Sequence, residues 1–192
     1  MTPLFKSAHA AVKFAVNCGN ESHIGRSTVS KLADPPKGAD TGLVGLDGVG
    51  QAAMVLSMIR SSMDRRQEAC LVARCSVHKL SCSCGAACCS RSRPNWTWFE
   101  AINFLSMEAK LAIEEDRKPG TRGIQDNPAI RQALIAKYFG ERVRISELAK
   151  ACDITDSTVT NHNSKITKML KKSEGEAWSL IEERLRDAFL IF

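Results

Sequence analysis

The chain has 192 residues, of which 44% are hydrophobic and 25% charged, and its formal net charge is +6. This composition excludes wholesale disorder, and no run of the sequence approaches the roughly 18 apolar residues that a membrane span requires. The length suits one domain with a substantial core or two smaller modules. Because the N-terminal residues lack a basic leader followed by an apolar stretch, we expect a cytoplasmic protein.

The positive charge is concentrated in two blocks, residues 60–94 and residues 128–172. A localised excess of Lys and Arg is typical of surfaces that approach a polyanion. The alternative is ordinary solvated surface charge.

Apolar residues in the first half of the chain recur at spacings of three and four, which indicates amphipathic helices. The spacing predicts a helix over residues 3–17, and the Pro- and Gly-rich segment from residue 34 predicts a loop. A second helix is predicted from near Asp47, a third over residues 67–74, and a fourth capped by Asn95. No alternating pattern is long enough to predict a sheet, so the predicted fold class is all-α.

Five of the eight cysteines lie within residues 75–89. In a reducing compartment, clustered cysteines are more often metal ligands than disulfides. Zinc prefers four tetrahedral sulfur or nitrogen ligands gathered by short turns. The array predicts a Zn²⁺ site formed by Cys75, Cys82, Cys84 and Cys88, with Cys89 or His78 as substitutes. The alternatives are an iron–sulfur cluster and a thiol-rich loop whose cysteines pack as small apolar groups.

Catalysis requires a nucleophile, a base and a group that orients the base. Cys84 and His78 could fill the first two roles, but no residue stands out for the third. The sequence therefore predicts a protein that is not an enzyme.

The C-terminal region begins with strong helix signals. Asn127 is suited to cap a helix, Pro128 to its first position and Gly140 to its end. This helix has an apolar face and is predicted to lie in the core.

A pair of helices is predicted next, the first capped by Ser146 and ending at Ala151, the second capped by Thr155 and reaching about Lys172. Two helices joined by three or four residues are typical of a helix-turn-helix. A last amphipathic helix would carry Trp178, Ile181, Leu185 and Phe189.

The second helix of the pair has a polar side opposite its apolar side. Hydroxyl, amide and ammonium groups on an exposed helix can contact base edges and phosphates in the major groove. We expect Asn161 and Thr158 to contact bases, and Ser157, Thr160 and Lys165 to contact phosphates, with help from the helix N-terminus. The full predicted DNA-binding set is Ser157, Thr158, Thr160, Asn161, Ser164, Lys165 and Lys168.

The stretch ISELAKACDITDSTVTNHNSKITKML, residues 145–170, resembles the promoter-binding helix-turn-helix of bacterial sigma factors, their region 4. The resemblance is carried by Ser146–Glu147, Asp153–Thr155, Val159 and the ending Lys165–Leu170. The chain departs from that pattern by having Asp153 where many such turns have Gly, Asp156 where sigma factors often have a basic residue, and His162 at a usually apolar position.

Over residues 46–172, the helical pattern, the cysteine cluster and the C-terminal helix-turn-helix are together similar to the Q antitermination proteins of bacteriophages. The resemblance implies recognition of duplex DNA near a late promoter, loading onto bacterial RNA polymerase, and read-through of terminators. The resemblance also implies that the protein is located in the cytoplasm of the bacterial host.

Two other functions stay open. A dimeric repressor or activator would use the same helix without polymerase, and a basic interaction protein would prefer no duplex sequence. The predicted organisation is a helical region over 1–114 with a Cys-rich loop at 75–89, a linker at 115–127, and a DNA-binding domain at 128–192.

Overall fold

The structure, a computed structural model, describes residues 4–18, 46–82, 84, 90–115 and 127–192. It is mostly helical, which confirms the coarse fold class. In chain order the elements are α1 (Ala8–Cys18), α2 (Leu46–Ser62), α3 (Arg65–Cys75), β1 (Lys79–Ser81), β2 (Ser92–Pro94), α4 (Trp96–Glu115), α5 (Pro128–Tyr138), α6 (Ile145–Ala151) and α7 (Asp156–Asp187). Among these helices, none has the length and apolar character needed to cross a membrane.

The chain forms two compact units that are discontinuous in sequence. The first comprises Met1–Asp64, Cys75–Pro94 and Trp178–Phe192, and the second comprises Arg65–Arg74 and Asn95–Ala177. Of the predicted linker 115–127, residues 116–126 lie outside the described residues.

In the first unit, α1 packs against α2. The buried residues of α1 lie at spacings of three and four, as the sequence predicts: Ala8, Ala11, Val12, Ala15 and Val16. The predicted start of this helix is early, because the chain enters α1 only at Ala8. Phe5 precedes the helix, is buried, and donates its backbone N–H to the carbonyl of Leu190 at 2.9 Å.

A two-stranded antiparallel sheet in the first unit is the main departure from the all-α prediction. Strands β1 and β2 pair with Leu80 opposite Arg93, and the Cys82 N–H continues the ladder by donating to the Arg91 carbonyl at 2.9 Å. Strands of three residues are too short to produce a recognisable alternation, which is why the sequence pattern did not predict them.

The second unit is built around one apolar core to which five helices contribute. Packed there are residues of α3, α4, α5, α6 and the first part of α7, including Leu105, Leu134, Ala149, Val159 and Leu170. Burial of apolar side chains is the main stabilising contribution to such a core. The short α6 and the start of α7 are therefore held on the same core as α4 and α5.

The caps of this unit follow the predictions closely. The Asn95 side chain accepts from the Thr97 N–H at 3.1 Å, and that of Asn127 accepts from the Ala129 N–H at 3.0 Å. Helix α5 ends where Gly140 adopts a φ of +108°, a left-handed conformation that favours glycine. Its N–H and that of Glu141 donate back into the last turn, so the terminal carbonyls are satisfied.

The end of α7 differs from the prediction. The helix continues from Asp156 to Asp187 without ending near Lys172, so the predicted last helix is its second half. The helix continues through Gly175, because no turn-forming residues flank this glycine. Buried residues recur at helical spacing beyond it, at Ala177, Ile181 and Leu185. Phe189 lies beyond the helix, in a left-handed conformation with φ of +57°, and is 83% exposed.

Candidate nucleic-acid interface

The turn between α6 and α7 is defined by hydrogen bonds back into α6. The Asp153 N–H donates to the Lys150 carbonyl at 3.3 Å, and the Ile154 N–H donates to the Ala149 carbonyl at 3.0 Å. This pattern is the Schellman ending, in which one residue takes a left-handed conformation. Asp153 takes it with φ of +53°, which explains why glycine suits the position and why aspartate is tolerated there.

Helix α6 begins two residues earlier than predicted. Its N-cap is Arg144, without a side-chain capping bond, and Ser146 lies within the first turn. The Arg144 guanidinium pairs instead with Glu147 at 2.8 Å, with both side chains largely exposed. The prediction that Ser146 caps the helix is therefore wrong.

Thr155 precedes α7 and acts as its cap, as predicted. Its Oγ1 accepts from the Thr158 N–H at 3.4 Å and lies 2.7 Å from the Thr158 hydroxyl and 3.1 Å from the Ser157 hydroxyl. Thr158 is half-buried and its hydroxyl is already engaged. Of the two residues expected to contact bases, Asn161 is therefore the better placed, because its side chain is exposed.

The predicted DNA-binding side chains share the outer side of α7. At about 100° per residue they occupy an arc of about 160°. The opposite side carries Val159, Ile166 and Leu170, all buried in the core. Five of the predicted residues are exposed and two are half-buried: Ser157, Thr160, Asn161, Ser164 and Lys168 are exposed, and Thr158 and Lys165 are half-buried.

Two details affect what this side can bind. The Ser164 hydroxyl donates to the Thr160 carbonyl at 3.1 Å, so it faces a ligand as an acceptor. His162, at the border of the polar side, is half-buried. Burial, and then the charge of Lys165, lowers the pKa of the His162 imidazole, which keeps it neutral at neutral pH.

A charged network anchors the middle of α7 within the second unit. Arg74 of α3 pairs with both carboxylate oxygens of Glu174, through Nε at 2.6 Å and Nη2 at 2.9 Å. The Tyr138 hydroxyl donates to the same carboxylate at 2.7 Å, and the guanidinium lies 4.9 Å from the ring centroid of Phe139. We call Arg74, Glu174 and Tyr138 the α7 anchor.

The anchor is nearly withdrawn from solvent at its centre, since the Glu174 side chain is 11% exposed. Burial, and then the bond to Glu174, raises the pKa of the Tyr138 hydroxyl to about 12, so the phenol is protonated and donates at neutral pH. The pKa of Arg74 is raised chiefly by its bond to Glu174. The sequence offered one signal for this network: Glu174 is the only acidic residue between Asp156 and Glu176.

The hairpin closes the cysteine-rich segment between Cys82 and Arg91. Of the four predicted zinc ligands, Cys75 is buried at the end of α3, Cys82 is half-buried and Cys84 is exposed, while Cys88 lies outside the described residues. Within the described part of the chain, no three His, Cys, Asp or Glu side chains lie close enough to hold a metal. The described residues do not by themselves form a zinc site.

Comparison with protein-family models, curated proteins and solved structures finds no match for this chain.

Proposed function

We propose that this protein is a sequence-specific duplex DNA-binding regulator of transcription and that it catalyses no reaction. Its DNA-binding surface would be the outer side of α7 from Ser157 to Lys168. The observation that supports this most is the division of α7 into two sides. One side is buried in the core, and the other presents short polar and cationic groups after a tight turn. This is the arrangement with which helix-turn-helix proteins enter the major groove.

The side chains have distinct roles in this proposal. The Asn161 amide offers a donor and an acceptor together, which suits the paired edge of adenine. Ser157 lies in the first turn of α7, where the helix dipole favours a phosphate, and Thr160, one turn further on, offers an exposed hydroxyl to the DNA backbone. Lys168 adds a positive charge that attracts the DNA backbone without distinguishing sequences.

Selection from a pool of random duplexes tests the proposal directly. We expect the protein to enrich one sequence motif, because side chains fixed on a core-anchored helix contact a defined set of base edges. Retention of all duplexes without enrichment would favour the basic interaction protein instead.

Within this class, we propose transcription antitermination with bacterial RNA polymerase as the second partner. The support is the resemblance to phage Q proteins in the helical pattern, the cysteine cluster and the C-terminal helices. In vitro transcription across a terminator, from templates carrying the selected motif near the promoter, should yield more read-through when the protein is added.

A dimeric repressor or activator makes a different prediction. It would protect a symmetric site from nuclease digestion equally well with and without polymerase. An antiterminator would give its full footprint only when polymerase is present. Footprinting under both conditions separates the two functions.

We also propose a zinc ion in the segment that the hairpin closes. The support is the density of thiols between Cys82 and Cys89 and the pairing of Cys82 with Arg91, which brings the two ends of this segment together.

A further inference from the structure

The outer side of α7 extends further than the residues assigned to DNA so far. Lys171 and Lys172 are both exposed and come one turn after Lys168. At about 100° per residue, Lys171 lies about 40° to one side of a line drawn through Ser157 parallel to the helix axis, and Lys172 lies about 60° to the other side. They therefore continue the polar side and do not turn toward the core.

Charge divides this side along its length. The first part, with Ser157, Asn161 and Ser164, is neutral, and the second part carries Lys165, Lys168, Lys171 and Lys172. Glu174 does not offset these charges on the outer side, because Arg74 and Tyr138 hold its carboxylate in the α7 anchor. The positive segment ends at Glu176, which is exposed.

The outer side of α7 is longer than the part of a recognition helix that contacts bases. From Ser157 to Lys172 the helix axis runs about 22 Å at about 1.5 Å per residue, and in helix-turn-helix proteins the N-terminal residues of the recognition helix are the ones that contact base edges. If the N-terminal turns of α7 enter the groove, the turn that carries Lys171 and Lys172 passes over its rim. The rim of the groove is the phosphate backbone, which ammonium groups neutralise.

We propose that Lys171 and Lys172 form a phosphate-binding segment that holds the sugar–phosphate backbone of duplex DNA at the groove rim. This inference rests on the proposed function and assigns different roles to the two halves of the outer side of α7. The N-terminal half of the outer side selects the sequence, and the C-terminal half supplies affinity that is independent of sequence. The anchor supports this division because it fixes α7 to the core at Glu174, two residues beyond Lys172.

The test is the salt dependence of binding to the selected motif and to an unrelated duplex, for the wild type and the double variant Lys171→Gln/Lys172→Gln. Each phosphate contact contributes about 0.9 to the slope of log affinity against log salt. The double variant should lower that slope by about 1.8 and, because this term vanishes near 1 M salt, weaken both duplexes by roughly 60-fold at 0.1 M salt. The ratio of the two affinities should stay unchanged, because phosphates carry no base information.

The matched control is Lys171→Arg/Lys172→Arg, which keeps both charges and should keep the slope. If the wild type selects a motif but the glutamine variant keeps the wild-type slope, the inference is wrong and the proposed function stands. A changed preference at particular base pairs would also overturn it, since the lysines would then contact bases. If the wild type binds no duplex in preference to another, the proposed function itself fails.

Discussion

Asp153 carries the strain of the turn between α6 and α7. Its φ of +53° costs an ordinary side chain about 1–2 kcal/mol, and aspartate and glycine are among the residues that tolerate it. We expect Asp153→Val to lower the free energy of unfolding by about 1–2 kcal/mol, and Asp153→Gly to leave it within about 0.5 kcal/mol of wild type. Urea unfolding of the three proteins measures this. Equal stability of the valine and glycine variants would show that the turn is not built this way.

His162 makes stability depend on pH. Because its folded-state pKa is lowered, the unfolded chain binds more protons at and just below pH 6.5, and the free energy of unfolding falls as the pH drops through this range. His162→Gln removes this contribution. In urea unfolding, the free energy of unfolding of the variant relative to that of wild type should therefore increase as the pH is lowered from 7.5 to 5.5. A difference that stays constant with pH would contradict the burial of a neutral imidazole.

The turn residues also indicate how far local signals extend. Asn95, Asn127, Thr155 and Gly140 were predicted in their roles because each acts on backbone groups within a few residues. Such signals misplaced the cap of α6, which is Arg144 and not Ser146. The hydrogen bond between Thr158 and Thr155 was not predicted, because it depends on side-chain rotamers that sequence spacing does not reveal.

At the scale of elements, the α7 anchor should contribute far more stability than an exposed pair. Arg74→Met leaves the Glu174 carboxylate, with its side chain 11% exposed, without its counter-charge, and should cost about 3 kcal/mol. The matched control is Arg144→Met, which breaks a pair whose side chains are 80% and 66% exposed and should cost less than about 1 kcal/mol. Urea unfolding compares them. Similar losses would mean that the anchor behaves as a surface pair.

Element lengths were less predictable than element types. The continuation of α7 through Gly175 depends on Ala177, Ile181 and Leu185, which extend its buried stripe, and one glycine costs a helix only about 1 kcal/mol. The anchor itself joins residues 100 positions apart. No local pattern encodes such a pair, so the sequence predicted the outer side of α7 but not what fixes its position.

At the scale of the whole molecule, the zinc proposal predicts a coupling between metal and folding. Purified protein should contain about one zinc per chain, and a chelator should lower its melting temperature, because metal binding contributes to folding free energy. Cys82→Ser should lower the zinc content, whereas Cys70→Ser, which alters a cysteine buried in the core of the second unit, should not. If the purified protein contains no metal and its melting temperature does not change when chelator is added, the zinc proposal is wrong and the cysteines form a thiol-rich loop without metal.

Two asparagines on α7 allow a matched test of whether the outer side of this helix distinguishes DNA sequences. Asn161 is exposed on the outer side, and Asn163 is half-buried about 200° further around the helix. The measurement is the ratio of affinities for the selected motif and for the motif changed at single base pairs. We expect Asn161→Ala to lose about 1–3 kcal/mol of discrimination at one base pair, while Asn163→Ala keeps the wild-type ratio. Unchanged discrimination in the Asn161→Ala protein would show that the outer side of α7 does not distinguish DNA sequences through Asn161.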